Sequence, residues 1–247
     1  MGARVMMLAS GKGGTGKSAV AVFLATQLAK RGKRVLLVEL SEGCRSIDIM
    51  AGVAAKTVYD IGDMLTGQCS VSKALLESPL EKRLFIANAP YAKQVITVKA
   101  MQAFLKIASR IFDEILLDTS GGLGAMFDIA SRVSDTGLIV ITPDMLAMRA
   151  GQIVCDKLYE NGVQEVRLVI NQVPKTLQEC GIEDFDVCID TVGARLLGVI
   201  PYHEEIIQAI HSGTGLPDEK SLISHIFSAL AARLCGQEVP LQFYEVY

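Results

Sequence analysis

Residues 11–18 read GKGGTGKS, a glycine-rich stretch that ends in a lysine and a serine. An apolar run, Arg4 to Ala9, precedes it and reads as a buried strand, and a segment of helical period follows it. The pattern G-x-x-x-x-G-K-[ST] between a strand and a helix is typical of a phosphate-binding loop, in which backbone amides hold phosphate oxygens. Lys17 is placed to reach the β and γ phosphates and Ser18 to offer its hydroxyl to Mg²⁺. The stretch therefore predicts a site for ATP or ADP with Mg²⁺, formed by Gly11, Lys12, Gly13, Gly14, Thr15, Gly16, Lys17, Ser18 and Ala19.

The rest of the chain alternates short apolar runs with longer segments of helical period. This rhythm predicts an α/β fold of the P-loop NTPase type, a doubly wound, mostly parallel sheet with helices on both faces in a Rossmann-like three-layer arrangement. With 247 residues the chain can bury one large core, so a single domain over residues 1–247 is expected. The predicted strands are Arg4 to Ala9, Val35 to Glu39, Arg83 to Ala87, Glu114 to Asp118, Leu138 to Ile141, Val166 to Asn171 and Leu196 to Ile200. The predicted helices are Ser18 to Arg31, Val98 to Phe112, Met145 to Tyr159 and Ser221 to Leu234.

The strand that begins near Phe112 reads FDEILLDTSGG and ends in an acid followed by small residues. An aspartate at the end of such a strand is typical of a Walker B acid, which orients the magnesium shell. Asp118 is therefore predicted, with Ser18, to hold the metal.

Composition and charge limit the classes of partner and the compartment. The net charge is −3, so the whole-chain field favours neither nucleic acid nor an anionic membrane. The chain shows no apolar run near the ~18 residues that span a bilayer and no signal-sequence pattern at its start. Six cysteines without a close C-x-x-C or C-x-C pair read as buried thiols, not as a metal or redox site. A cytoplasmic protein is expected.

Lys12 is an additional lysine that an ordinary phosphate-binding loop does not need. With it, GKGGTGKS resembles the deviant Walker A motif of the MinD/ParA family of the SIMIBI class, and MinD-like proteins above all. The segments VLLVELSEGCRSIDIMAG, YDIGDMLTG, LLDTSGG and TPDMLAMRA are similar to successive family segments along nearly the whole chain. The resemblance implies an ATP hydrolase that forms a homodimer with ATP, in which Lys12 reaches the partner's nucleotide. It also implies spatial regulation, such as division-site or cargo positioning, through an as yet unidentified protein partner.

The resemblance also assigns residues for adenine. LVINQV is similar to the family's adenine-recognition strand, which makes Asn171 the expected base contact. LLGVIP implies that the backbone after Pro201 lies against the adenine ring.

The chain departs from the family at the second strand. The family's strand ends in D-x-D and its second acid orients the attacking water, whereas this chain has Glu39, Leu40 and Ser41. A serine hydroxyl can hold water but is uncharged at neutral pH and contributes little to proton transfer. Ser41 thus stands at the catalytic position without a carboxylate, and Glu42 is the neighbouring acid that can substitute. Slow turnover is expected.

Two further departures concern partners. The end of the chain, GQEVPLQFYEVY, has no lysine or arginine and contains Pro240, so a basic amphipathic membrane helix of the MinD type is not expected. Arg149 is followed by Ala150 where division-site proteins usually carry an acid, so their partners are not assumed. Lys99, Lys106 and Arg110 share one side of a predicted helix, and the interpretation adopted is a solvated face, not a DNA-binding one.

Other functions remain open at this point. One is an ATP-binding dimeric scaffold that has lost useful hydrolysis, which Ser41 suggests. Another is a bacterial P-loop tyrosine kinase, suggested only by Tyr244 and Tyr247. A third is a metal-insertion ATPase, against which the spacing of the cysteines argues.

Overall fold

The computed structural model describes residues 2–41, 45–91, 96–216 and 220–241. Eight strands of the described residues form one sheet in the order β3-β4-β2-β5-β1-β6-β7-β8. All neighbouring strands are parallel except β3, which pairs antiparallel with β4 at one edge. The strands are β1 Arg4–Ala9, β2 Val35–Glu39, β3 Leu75–Glu77, β4 Leu84–Ala87, β5 Glu114–Asp118, β6 Thr136–Ile141, β7 Glu165–Val173 and β8 Arg195–Pro201. The predicted fold class is confirmed.

Helices cover both faces of the sheet. Side chains along β1 alternate between the two cores, with Met6 and Leu8 in one and Met7 and Ala9 in the other, as the pleat of a strand requires. The helices are α1 Lys17–Lys30, α2 Ile47–Met50, α3 Ile61–Leu65, α4 Val71–Ala74, α5 Val98–Ala108, α6 Ala125–Ser131, α7 Met145–Glu160, α8 Phe185–Val192, α9 Glu204–Ser212 and α10 Leu222–Leu234. One face carries α1, α2, α9 and α10, and the other carries α3 to α8. The single domain over residues 1–247 stays a prediction.

The first helix is more deeply buried than its sequence pattern indicates. Its apolar residues were expected to form one stripe, yet nearly every residue from Lys17 to Ala29 is buried. The physical reason is a neighbouring helix, because α10 packs beside α1 on the same face of the sheet and places Phe227 against Phe23 with ring centroids 5.4 Å apart. The helix that begins at the phosphate-binding loop is therefore packed against the sheet and against α10.

The edge strand β8 is tied to the last helix by one side chain. The Nη1 of Arg233 donates to the carbonyl oxygen of Leu197 in β8 at 2.9 Å. Its Nε and Nη2 donate to the carbonyl oxygens of Val239 and Pro240 at 2.9 and 2.6 Å. Arg233 thus fastens the segment that follows α10 along the outer strand of the sheet.

Candidate nucleotide and magnesium site

The phosphate-binding loop connects β1 to α1 at the carboxyl edge of the sheet, between the neighbouring strands β5 and β6. Gly14 and Gly16 have φ angles of 84° and 78°, which residues with a Cβ rarely adopt. A Cβ on Gly11 would overlap the Cβ and the backbone of Ala150 in α7. Glycine at these three positions is therefore required by backbone geometry and by close packing.

The loop's last two side chains meet the acid at the end of β5. The Nζ of Lys17 lies 2.5 Å from Oδ1 of Asp118, and the Oγ of Ser18 donates to Oδ2 of the same carboxylate at 2.7 Å. Lys17 and Asp118 are both buried, and a buried ion pair of this kind is stable only while each charge keeps its partner. The three predicted phosphate and magnesium residues are thus brought together. A hydroxyl and a carboxylate oxygen are the ligands that Mg²⁺ prefers.

A cavity of ≈ 360 Å³ opens at this edge. Its walls are the loop around Lys12 to Ala19, Ser41 and Ser46 after β2, and Thr119 to Gly121 after β5. The Oγ1 of Thr15 is buried in the loop without a hydrogen-bond partner among the described residues. Buried polar atoms are normally paired, so this hydroxyl indicates a polar ligand that the loop is built to contact.

Lys12 pairs within its own chain. Its Nζ lies 2.8 Å from Oδ2 of Asp144, the residue that caps the amino end of α7. Burial alone would raise the pKa of Asp144, but hydrogen bonds from Lys12, Thr142 and the amide of Ala147 outweigh it and hold this pKa below its ordinary value. Lys12 lines the cavity and its side chain is partly exposed, so its ammonium group can exchange one anionic partner for another.

The end of β7 contacts the loop directly. The Nδ2 of Asn171 donates to the carbonyl oxygen of Thr15 at 2.8 Å, and the Nε2 of Gln172 donates to that of Gly14 at 3.0 Å. Asn171 is buried and lies outside the cavity wall, as does Pro201, the last residue of β8. The adenine roles expected of Asn171 and Pro201 stay predictions.

The loop after β2 is organised by a buried glutamate. Glu39 is inaccessible to solvent, and its Oε1 accepts hydrogen bonds from the Oγ of Ser41 at 3.1 Å and from the backbone N and the Oγ of Ser46 at 2.8 and 3.1 Å. Burial raises the pKa of Glu39 above its ordinary value, against the opposing effect of the backbone amides of Ser46 and Ile47. Ser41 lines the cavity. Glu42, the predicted substitute acid, lies outside the described residues.

Three residues with clear roles in this geometry were missed from the sequence: Glu39, Asp144 and Gln172. Asp144 carried a usable signal, because an Asp three residues before Ala147 at the start of a helix is a typical N-cap. Gln172 carried none, since its position depends on a backbone conformation that the sequence does not indicate.

The cysteines are free thiols in separate elements. Cys155 and Cys188 are buried, as expected, whereas Cys69, Cys180 and Cys235 are only partly so, and Cys44 lies outside the described residues. Burial, with the nearby Asp184 and Cys180, raises the pKa of Cys188 to about 11, which suppresses its thiolate at neutral pH.

Known protein families and relatives match this chain along most of its length. A family model described as an AAA domain matches residues 3–178. The septum site-determining protein MinD of Thermotoga maritima is 31% identical over 246 residues, which cover 96% of this chain and 90% of that protein. The chain belongs to the MinD/ParA family of P-loop ATPases.

Solved structures of MinD proteins have the same fold. The MinC:MinD cell division protein complex of Aquifex aeolicus contains a chain 28% identical to this one, with a TM-score of 0.90 and coverage of 98% of this chain and 99% of that chain. MinD of Pyrococcus horikoshii, solved with Mg-ADP, superposes with a TM-score of 0.83 at 21% identity and covers 94% and 96%. The similarity to the Pyrococcus horikoshii structure shows that this chain has the MinD fold. No helix within the described ranges is both long and apolar enough to cross a membrane.

Proposed function

We propose that this chain is an ATP-dependent dimerising switch of the MinD/ParA kind, with slow hydrolysis. The observation that carries the proposal is the pairing of a complete phosphate loop with Lys12, a residue of the cavity wall whose ammonium group pairs with the partly exposed Asp144 at the start of α7. A lysine in that position can serve a nucleotide held by another copy of the chain. ATP would close two copies face to face, and hydrolysis or exchange would separate them.

The residues present fit Mg-ATP. Lys17 supplies a positive charge for the β and γ phosphates, and Ser18 and Asp118 supply oxygen ligands for Mg²⁺. The unpaired Oγ1 of Thr15 and the amides of a loop that requires glycine supply further polar contacts. When bound, Mg²⁺ would neutralise phosphate charge; the chain's own groups would hold and orient the nucleotide.

Exposed apolar side chains beside the cavity support the homodimer. Met145 and Leu146, which follow Asp144, are 65% and 75% exposed, and Leu123, shortly after Gly121, is 48% exposed. A contiguous apolar patch rimmed by polar groups is typical of a surface that another protein covers. A second copy that brings its Lys12 to this cavity would bury these residues.

Lys12→Ala tests the dimer. We expect the variant to bind ATP but to remain monomeric, because Lys12 contributes to the partner's site and its present pairing with Asp144 is partly exposed. The measurement is light scattering with ATP and with ADP. Lys157→Ala is the matched control, since Lys157 is also a partly exposed lysine that pairs with an acid, Glu160. A Lys12→Ala protein that dimerises with ATP as wild type does would show that this is an ordinary P-loop protein.

The second candidate function is an ATP-binding dimeric scaffold with little or no hydrolysis. The observation that favours it is Ser41, whose hydroxyl lines the cavity where the family carries a carboxylate. Measuring ATP turnover of the purified dimer separates the two functions. A cytoplasmic location, an unidentified protein partner and a role in spatial regulation, such as division-site or cargo positioning, belong to the same proposal.

A further inference from the structure

The end of β7 departs from regular strand geometry where it meets the phosphate loop. Its register with β8 shifts between Ile170 and Val173, so that Asn171 and Gln172 form an irregular pair in the ladder. Gln172 has φ 56°, and no other non-glycine residue of the described ranges has a positive φ. This conformation is unfavourable for a residue with a Cβ and persists only where surrounding contacts hold it.

The side chains of Asn171 and Gln172 both contact the phosphate loop. In a regular strand successive side chains point to opposite faces of the sheet, yet the amides of Asn171 and Gln172 donate to two successive carbonyl oxygens, those of Thr15 and Gly14. The irregularity therefore directs two neighbouring carboxamides to one target. A Cβ on Gly16 would overlap Nδ2 of Asn171 and lie 3.2 Å from Nε2 of Gln172, so the loop is in close contact with both.

These hydrogen bonds to the carbonyls of Gly14 and Thr15 also orient the N–H groups of the same peptide units. In a planar trans peptide the carbonyl and the following N–H point in opposite directions. Holding the carbonyls of Gly14 and Thr15 against β7 thus turns the N–H groups of Thr15 and Gly16 away from β7. Both residues line the cavity.

We propose that Gln172, acting with Asn171, is a positioning residue that fixes two peptide units of the phosphate loop so that their N–H groups are preorganised for phosphate oxygens. The inference rests on the proposed nucleotide site and assigns Gln172 a part in it. The positive φ of Gln172 is the conformation that brings its amide to Gly14. Preorganised donors bind an anion more tightly because little ordering remains to be done on binding.

Gln172→Glu tests the proposal, since it replaces the donating Nε2 by an oxygen that faces the carbonyl of Gly14. Without added nucleotide, we expect faster amide hydrogen exchange in residues 11–18. With nucleotide, we expect Mg-ADP affinity to fall about fivefold to tenfold, the loss of roughly one net hydrogen bond. Gln164→Glu is the matched control, because the exposed Gln164 also donates through Nε2 to a backbone oxygen, that of Gly162, at 3.0 Å. It should change neither quantity.

Gln172→Gly separates the effect of the side-chain amide from the effect of the backbone conformation. Glycine adopts φ 56° without strain but has no side chain, so this variant should show the same faster exchange while unfolding at a temperature no lower than wild type. Wild-type exchange and ADP affinity in Gln172→Glu, or wild-type exchange in Gln172→Gly, would overturn the positioning role. Faster exchange in both variants, with no ADP binding even in wild type, would support the role and contradict the proposed nucleotide function.

Discussion

Lys17→Ala is expected to abolish binding of Mg-ATP. The variant removes the one cation that the loop supplies to the β and γ phosphates, and it leaves the buried carboxylate of Asp118 without its ammonium partner. Breaking a buried pair by removing one member typically costs about 3–5 kcal/mol of stability, so the free energy of unfolding should fall as well. Titration calorimetry with Mg-ATP measures the first effect and thermal unfolding the second.

The loss of affinity must be separated from loss of fold. The double variant Lys17→Ala with Asp118→Asn removes the uncompensated charge, so it should recover much of the stability and still fail to bind Mg-ATP. Lys157→Ala, which removes a partly exposed lysine elsewhere, should bind as wild type does. Wild-type affinity in a folded Lys17→Ala protein would refute the assignment of residues 11–18 as a phosphate loop.

Ser41→Asp is expected to raise ATP turnover by about a hundredfold or more, the typical contribution of a positioned general base. Affinity for ATP should change little, because a carboxylate that acts on water matters mainly in the transition state. The structure also supports the expected rise in turnover, because the Oγ of Ser41 lies 3.1 Å from the carboxylate of Glu39. A second carboxylate there would have its pKa raised by its like-charged neighbour, toward the range in which a base is effective.

Ser41→Asn is the matched control for this experiment. It has nearly the shape of the aspartate variant but cannot accept a proton, and its turnover should stay at the wild-type level. A wild-type rate as high as that of active family members would contradict the premise that Ser41 limits hydrolysis. Glu42 would then be the candidate acid, and Glu42→Gln the next variant to measure. If Ser41→Asp folds, binds ATP and turns over no faster, the catalytic role of this position is wrong.

Much of the fold was predictable because buried parallel strands leave a strong pattern in sequence. The predicted limits Arg4 to Ala9, Val35 to Glu39 and Glu114 to Asp118 are those of β1, β2 and β5. The strand β3 was not predicted, because three residues are too short to show a period and it follows directly from α4. The deep burial of α1 was also missed, since it depends on α10, which lies far away in the chain.

The site was predictable where a local motif carries the chemistry and not where tertiary contacts do. Lys17, Ser18 and Asp118 were expected together because a phosphate loop and a strand-end acid have known roles, and the structure joins them through one carboxylate. The pairing of Lys12 with Asp144 links parts of the chain 132 residues apart. No period or local spacing reports on such a contact.

The two outer strands limit how copies of this protein can associate. An exposed strand edge presents unpaired backbone groups to which a strand from another molecule can add, and natural proteins block such edges. Here β3 offers only three residues, while at the other side the guanidinium of Arg233 occupies the carbonyl of Leu197 and β8 ends in a proline. Growth of the sheet by strand addition, the route to fibrous aggregates, is therefore disfavoured at both margins. The dimer proposed above would form instead at the surface around the carboxyl ends of the strands, where a bound nucleotide would control it.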